Sequence, residues 1–186
     1  MAVNTLLIEL GVEELPPSAL NDLASALLDG IVKGLDDAEV PHGEAYALAS
    51  PRRLAVRIAA LAAKQPDRDV EKRCPALAAA FKEGQPTKAA EGFARSCGVT
   101  VDELIHLETD KGTWLGYREQ QQGDAVETLL PAIVKAAVHG LPVPKNMRWG
   151  ASRIEFSRPV HWLVLLYGDQ IVPASVLGLE SGGTSR

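Results

Sequence analysis

Apolar residues along this chain recur with two periods, and the switches between them lay out the elements. Thr5 to Leu10 is a short, mostly apolar run ending at Gly11, which predicts a buried strand. Pro16, Pro17 and Ser18 set a rigid helix start, after which Leu20, Leu23, Ala24, Leu27, Leu28, Ile31, Val32 and Leu35 follow at steps of three and four. That stripe runs over about five turns and predicts a helix from Ser18 to Leu35. It closes near Asp36, ahead of the turn-forming Pro41, His42 and Gly43. Period two then returns. Ala45 to Ala49 and Leu54 to Leu61 read as two strands of a hairpin joined by Ser50, Pro51, Arg52 and Arg53, with Val56, Ile58 and Ala60 alternating against Arg57 and Ala59.

Gln65 to Arg73 is dense in charge, and beyond it Ala76 to Lys82 predicts a helical segment. A further helix is expected from Thr87 to Ser96, with the Thr87 hydroxyl as its cap, Glu91 near its positive end and Gly98 as its stop. Ile105 to Glu108 and Trp114 to Glu119 predict strands around a turn at Thr109, Asp110, Lys111 and Gly112, with Trp114 packing beneath it. Leu129, Leu130, Ile133, Val134, Ala137 and Val138 mark a second long amphipathic helix from Ala125 to His139, closed by Gly140. Strands at His161 to Tyr167 and Ile171 to Leu177 then flank Gly168 and Asp169 as another hairpin. Glu180 to Arg186 is small and polar, expected as a disordered end or a cut through a longer protein. These elements give an α+β fold, a mixed or mainly antiparallel sheet covered by the two long helices. Residues 1–64 and 124–186 are expected to form the main domain and residues 65–123 a small inserted α/β subdomain.

Composition narrows the class further. A chain of 186 residues with 46% hydrophobic and 23% charged residues suits a globular protein with a substantial core. Its longest apolar runs, such as Trp162 to Tyr167, fall far short of the roughly 20 residues that span a bilayer. Met1 to Thr5 has no positive cluster, and Glu9 breaks the apolar run from Leu6, so no export signal is read. Cys74 and Cys97 lack partners at metal-ligand spacing, and His42, His106, His139 and His161 are scattered, so neither a metal centre nor a disulfide framework is expected. The net charge of −5 is unevenly spread: residues 1–49 hold nine acids and one base, Lys33, and the rest is net basic. An acidic front can meet a protein and a basic back an anion, or each can be plain solvated surface.

Glu9, Glu13 and Glu14 are an acid-base or metal-binding candidate, and an independent hydrolase would use them. The simpler reading of Glu13 and Glu14 is negative charge before a helix start. Arg52 and Arg53 offer forked donors to a phosphate or a carboxylate, with an internal salt bridge as the rival. Lys145, Arg148, Trp149, Arg153 and Arg158 crowd into one stretch whose only acid is Glu155. Its arginines suit an RNA backbone and Trp149 an unpaired base. Protein contact and internal pairing are the alternatives for the arginines, and anchoring of a proline-rich connection is the alternative for Trp149. His161 reads as a core histidine with one hydrogen bond. Gly182, Gly183, Thr184 and Ser185 lack the lysine and upstream glycine of a phosphate-cradling loop. No catalytic, cofactor-binding or metal-ligating residue is assigned.

Five segments, in order, carry a resemblance: Leu6 to Pro17 (LLIELGVEELPP), Ser50 to Val56 (SPRRLAV), Asp110 to Trp114 (DKGTW), Leu141 to Gly150 (LPVPKNMRWG) and Phe156 to Asp169 (FSRPVHWLVLLYGD). Together they resemble the beta subunit of the bacterial heterotetrameric glycyl-tRNA synthetases over essentially the whole chain. The resemblance implies the N-terminal part of a longer cytoplasmic subunit, whose anticodon-binding and phosphohydrolase-like helical domains would lie beyond Arg186. It implies an assembly of two alpha and two beta subunits that charges glycine-specific tRNA for translation. The alpha subunit would use ATP to activate glycine, with no cofactor or active site in these residues and no membrane partner. A purely structural protein-interaction module, with tRNA held by the later domains, is the alternative role.

Overall fold

The computed structural model of the chain describes residues 2–76, 80–82, 85–109, 112–143, 146–148 and 154–185. In chain order the elements are β1 (Val3–Val12), α1 (Pro17–Asp37), β2 (Ala45–Ser50), β3 (Arg53–Ala62), β4 (Arg68–Ala76), β5 (Phe81–Lys82), β6 (Gln85–Pro86) and α2 (Lys88–Cys97). They continue with β7 (Ile105–Thr109), β8 (Gly112–Gln121), α3 (Val126–His139), β9 (Met147–Arg148), β10 (Glu155–Phe156), β11 (Val160–Tyr167), β12 (Gln170–Ile171), β13 (Ser175–Val176) and β14 (Leu179–Gly182). Two compact units result, one of Met1–Pro66 with Gly123–Arg186 and one of Asp67–Gln122.

The first unit holds a main sheet under one layer of helices, with β9 and β10 forming a separate two-stranded pair. The main sheet's strand order is β13-β14-β11-β1-β3-β2, with β12 beside β11. The β1, β2, β3 and β11 ladders are antiparallel, while β14 runs parallel to β11. Alternate residues of β1, namely Leu6, Ile8, Leu10 and Val12, are fully buried on the helix side, level with Leu54, Val56 and Ile58 of β3 and with Leu163, Leu165 and Tyr167 of β11. The stripes of α1 (Leu23, Leu27, Ile31, Leu35) and α3 (Val126, Leu130, Val134, Ala137) close this core. Fully burying each such side chain stabilises the fold by roughly 1.5–3 kcal/mol, an upper estimate because denatured chains are partly collapsed.

Two glycines set how closely the helices approach. A Cβ on Gly30 would stand 3.0 Å from Cβ of Ala137, and one on Gly34 would stand 2.6 Å from Ile133. Where the chain leaves β3 and returns to α3, Gln65 N donates to Asp124 O at 3.0 Å and Val126 N to Ala63 O at 2.9 Å. A Cβ on Gly123 would lie 2.0 Å from Gln65 O, so this two-strand stem requires glycine there.

The second unit is an antiparallel sheet, β4-β8-β7, with a small core of Ala80, Ala90, Ala94, Leu104 and Leu115. Helix α2 ends on Gly98 in the left-handed region (φ 74°), as its position in the sequence predicts, but Thr87 takes the N-cap position without a side-chain capping bond. A reciprocal cap forms instead at Thr100 and Glu103, before a single 3-10 turn. Its hydrogen bonds from Thr100 hold the Glu103 carboxyl below the ordinary range.

The charged stretch 65–73, given no element from sequence, is mostly strand, because β4 pairs with β8 from Arg68↔Gln121 onward and its charges meet across the ladder, as in Glu71 with Arg118. Three expectations change. The helix expected at Ala76–Lys82 is shorter than that span: Ala76 still pairs with Trp114 and Phe81 pairs with Pro86, Ala80 between them is helical, and residues 77–79 lie outside the described residues. The strand expected from Ile171 to Leu177 is split into β12 and β13, separated by a stretch containing Pro173, which has no N–H to donate. The polar tail is not structureless, because Glu180 to Gly182 belong to β14. The α+β class stands, and no helix among the described residues is long and apolar enough to cross a membrane.

Packing gives one test. Gly34→Leu is expected to destabilise the first unit by about 1–3 kcal/mol in urea unfolding. Adding Ile133→Ala should recover part of that loss, giving a non-additive cycle between α1 and α3. Titration gives another. The Tyr167 hydroxyl is buried and donates to Leu61 O at 3.0 Å. Burial, helped by Glu127, raises its pKa above the ordinary 10.0. The unfolded chain therefore ionises first, so this contribution is complete below the unfolded value and declines as pH climbs from there through the folded one. Tyr167→Phe is expected to cost about 1 kcal/mol at neutral pH and to make the alkaline decline shallower in denaturation curves.

Candidate functional site

Three backbone hydrogen bonds build a corner at one end of the sheet. Val12 N donates to Arg52 O at 3.0 Å, Leu15 N to Pro51 O at 2.7 Å and Glu13 N to Pro159 O at 3.0 Å. They clamp residues 12–15 between the tip of the β2–β3 hairpin and the start of β11. Arg158 is fixed there, with Nε donating to Glu14 O at 3.0 Å and one terminal nitrogen to Ser157 O at 3.3 Å. The side chains of Glu13, Glu14, Arg52 and Arg158 line an open recess of about 500 Å³. Arg52 makes no ion pair among the described residues, and Nε2 of His161 lies 3.6 Å from Glu13 Oε1. Two arginines and two glutamates line it, so its formal charge nearly cancels.

A second cluster occupies the sheet face opposite the helices. Gly11 pairs with Arg53 on one side and with Trp162 on the other. The indole lies flat on Gly11, where a Cβ would stand 2.0 Å from Cε2. Its Nε1 donates to Glu9 Oε1 at 2.7 Å, the Ser185 hydroxyl donates to the same oxygen at 2.6 Å, and the Arg53 guanidinium sits over the ring at 5.8 Å from the centroid. Cation and carboxylate hold the ring from two sides.

The residues singled out in the sequence are therefore distributed. Arg52 and Arg158 converge on the recess, whereas Arg53, its neighbour in the chain, turns onto the sheet face. Arg148 donates from Nε to Glu155 Oε1 at 2.5 Å across the β9–β10 pair. Glu155 also lines a groove of about 600 Å³ with Lys135, His139, Leu141, Phe156 and Leu177. Lys145, Trp149 and Arg153 lie outside the described residues, as do Asp110 and Lys111 of the expected turn. His161 is exposed at the surface, where the sequence reading placed it in the core. It lies outside the core because the β1–β11 register shifts between Gly11 and Val12, leaving His161 as an extra residue between inward-facing Val160 and outward-facing Trp162. The three glutamates do not gather. Glu9 serves Trp162, no acid occupies the first turn of α1, and Glu14 acts through its carbonyl oxygen. No group of three potential metal ligands occurs among the described residues.

Trp162 and Glu9 escaped the sequence reading as a pair because 153 positions separate them. Gly11 was the available signal, since a glycine inside a strand marks close approach by another group. Gly11→Ala is expected to displace the indole and cost about 1–3 kcal/mol, with a change in tryptophan fluorescence in the folded state. Glu9→Gln, which keeps an acceptor for both donors, should leave the fluorescence nearly unchanged.

Comparison with known proteins agrees with this architecture's sequence signature. A family model described as glycyl-tRNA synthetase beta subunit matches residues 6–186. The chain is 73% identical over all 186 residues to the glycine–tRNA ligase beta subunit of Chromohalobacter salexigens. It is 54% identical over 180 residues, 96% of the chain, to that of Hahella chejuensis, and 52% identical over 187 aligned positions, 100% of the chain, to that of Citrobacter koseri. It spans 27%, 26% and 27% of these relatives, about a quarter of each. With a match that runs from β1 through residue 186, the chain belongs to the glycyl-tRNA synthetase beta subunit family, as an N-terminal region of it.

Proposed function

We propose that these residues form a recognition and assembly module of a glycine–tRNA ligase, approaching glycine-specific tRNA with the hairpin corner and supporting the alpha subunit with other surfaces. The carrying observation is Arg52: a cation on a turn clamped by backbone bonds to residues 12 and 15, making no ion pair among the described residues. A guanidinium held in this way meets a phosphate oxygen with little ordering cost. Arg158 stands beside it, anchored by Glu14 and ready to add a second contact. Arg148 is already engaged by Glu155, so its contact with RNA requires exchange of partners. Lys145, Trp149 and Arg153 remain candidates by sequence alone.

The chemistry of charging belongs, on this reading, to the alpha subunit, which would bind ATP and glycine. The clusters described hold charge and packing, with each carboxylate committed to a structural neighbour or to a mixed recess. The working assembly would contain two alpha and two beta subunits in the cytoplasm.

A titration of the assembled synthetase with glycine-specific tRNA at two salt concentrations tests this. Arg52→Ala is expected to weaken binding and to lower the salt slope by about 1, and Lys145→Ala with Arg148→Ala to lower it further. Unchanged affinity and slope in a folded, correctly assembled variant would place tRNA recognition elsewhere and leave a protein-interaction module.

A further inference from the structure

The side chains of β2, β3, β1 and β11 that point away from the helices form three rows across the sheet. Register sets Tyr46 beside Arg57, Leu7 and Leu166, then Leu48 beside Ala55, Glu9 and Val164, then Ser50 beside Arg53, Gly11 and Trp162. The first row continues to Ile171, the partner of Leu166 on β12. A sheet with one wet face alternates apolar inward and polar outward. Here the outward set retains Leu7, Tyr46, Leu48, Val164, Leu166 and Ile171, so β11 is apolar on both faces, with Val164 already buried. Tyr46 is 42% exposed, Leu48 57% and Ile171 51%, an apolar ridge broken by the cations Arg53 and Arg57. Arg57 makes no ion pair among the described residues. Sequences of this kind belong to sheets covered on both sides.

The covering layer has a nearby source. Residues 183–185 run over this face: a Cβ on Gly183 would touch Ile171 and Leu166 at 3.2 and 3.6 Å, and Ser185 reaches Glu9 on the central strand. In the relatives the matched stretch is N-terminal and makes up only 27% of the chain, so the polypeptide that follows emerges there from this face. Covalent attachment at the surface itself raises the effective concentration of such a segment to about the millimolar range, ahead of any separate molecule. Single-stranded RNA suits the face less well. The indole already has Gly11 beneath it and Arg53 above it, and the most exposed positions include the aliphatic Leu48 and Ile171.

We propose that in the full-length subunit this face is covered by an amphipathic segment from the C-terminal remainder of the same polypeptide. Aliphatic side chains of that segment pack on Tyr46, Leu48, Leu166 and Ile171, and a carboxylate of it meets Arg57. The inference rests on the family membership and not on tRNA binding at the hairpin corner, so either can fail alone.

Hydroxyl-radical footprinting of the full-length beta subunit tests it, with each side chain's modification rate compared with that of the same subunit in urea. A leucine as exposed as Leu48 should lose about half its reactivity on folding, whereas a covered one loses ~10-fold or more. The expected result is protection of that size at Tyr46, Leu48 and Ile171 in the beta subunit alone, independent of its concentration. Reactivity within about twofold of the unfolded value would overturn the proposal. So would protection that appears only when alpha subunit or tRNA is added, or that disappears on dilution, because each outcome assigns the face to a separate molecule. Leu48→Asp should in addition raise the reactivity of Ile171, across the sheet, several-fold and lower the urea midpoint of the full-length subunit. A Leu48→Asp subunit that keeps both values would equally sink the idea.

Discussion

Strand β1 hydrogen-bonds along one edge to β3 and along the other to β11, and through these two ladders residues near the N-terminus hold residues more than 150 positions later. Closing so long a loop costs entropy that grows only slowly with length, so what must be secured is the direction in which the chain leaves and returns. The stem at Ala63, Gln65, Asp124 and Val126 secures it, and it tolerates only glycine at position 123. With the stem closed, the 56 residues from Asp67 to Gln122 form their own sheet and core, while α3 can return beside α1 over the inward faces of β1, β3 and β11.

The long helices were legible because their periodicity is local. Leu23, Leu27, Ile31 and Leu35 share a face whatever the rest of the chain does, and the same holds for Leu130, Val134 and Ala137. The β2–β3 hairpin was legible for a similar reason, since proline and polar residues mark the turn between two alternating runs. The strands that went unrecognised depend on a partner distant in sequence. Nothing in the charged sequence of β4 announces a strand until β8 supplies complementary charges opposite it, Glu119 for Lys72 and Arg118 for Glu71.

At the candidate site the same division applies to side chains. Residue type identified the arginines, but adjacency in sequence suggested a joint presentation of Arg52 and Arg53 that the pleat forbids. Arg53 is already in β3 and faces the sheet surface, whereas Arg52 is still in the turn and faces the recess. The glutamates show the converse. Glu9 and Glu13 are near one another in sequence yet reach different residues at the start of β11, Trp162 and His161, where the register of β1 against β11 shifts.

The corner and the sheet face also offer two kinds of contact. The recess around Arg52 and Arg158 is nearly neutral, so a phosphate placed in it gains from Arg52 while meeting repulsion from Glu13 and Glu14, and favourable approach is confined to the outer edge of the turn. The sheet face carries Arg53 and Arg57 among aliphatic side chains, a setting in which water exclusion strengthens a carboxylate partner and penalises an unpaired guanidinium. A diffusible polyanion is therefore best met at the turn, where the cation stays hydrated until contact. The face behind it is best met by a protein layer that brings apolar surface and acid together. One hairpin, through the change of direction at Pro51 and Arg52, can supply both surfaces without either set of charges competing for the other's partner.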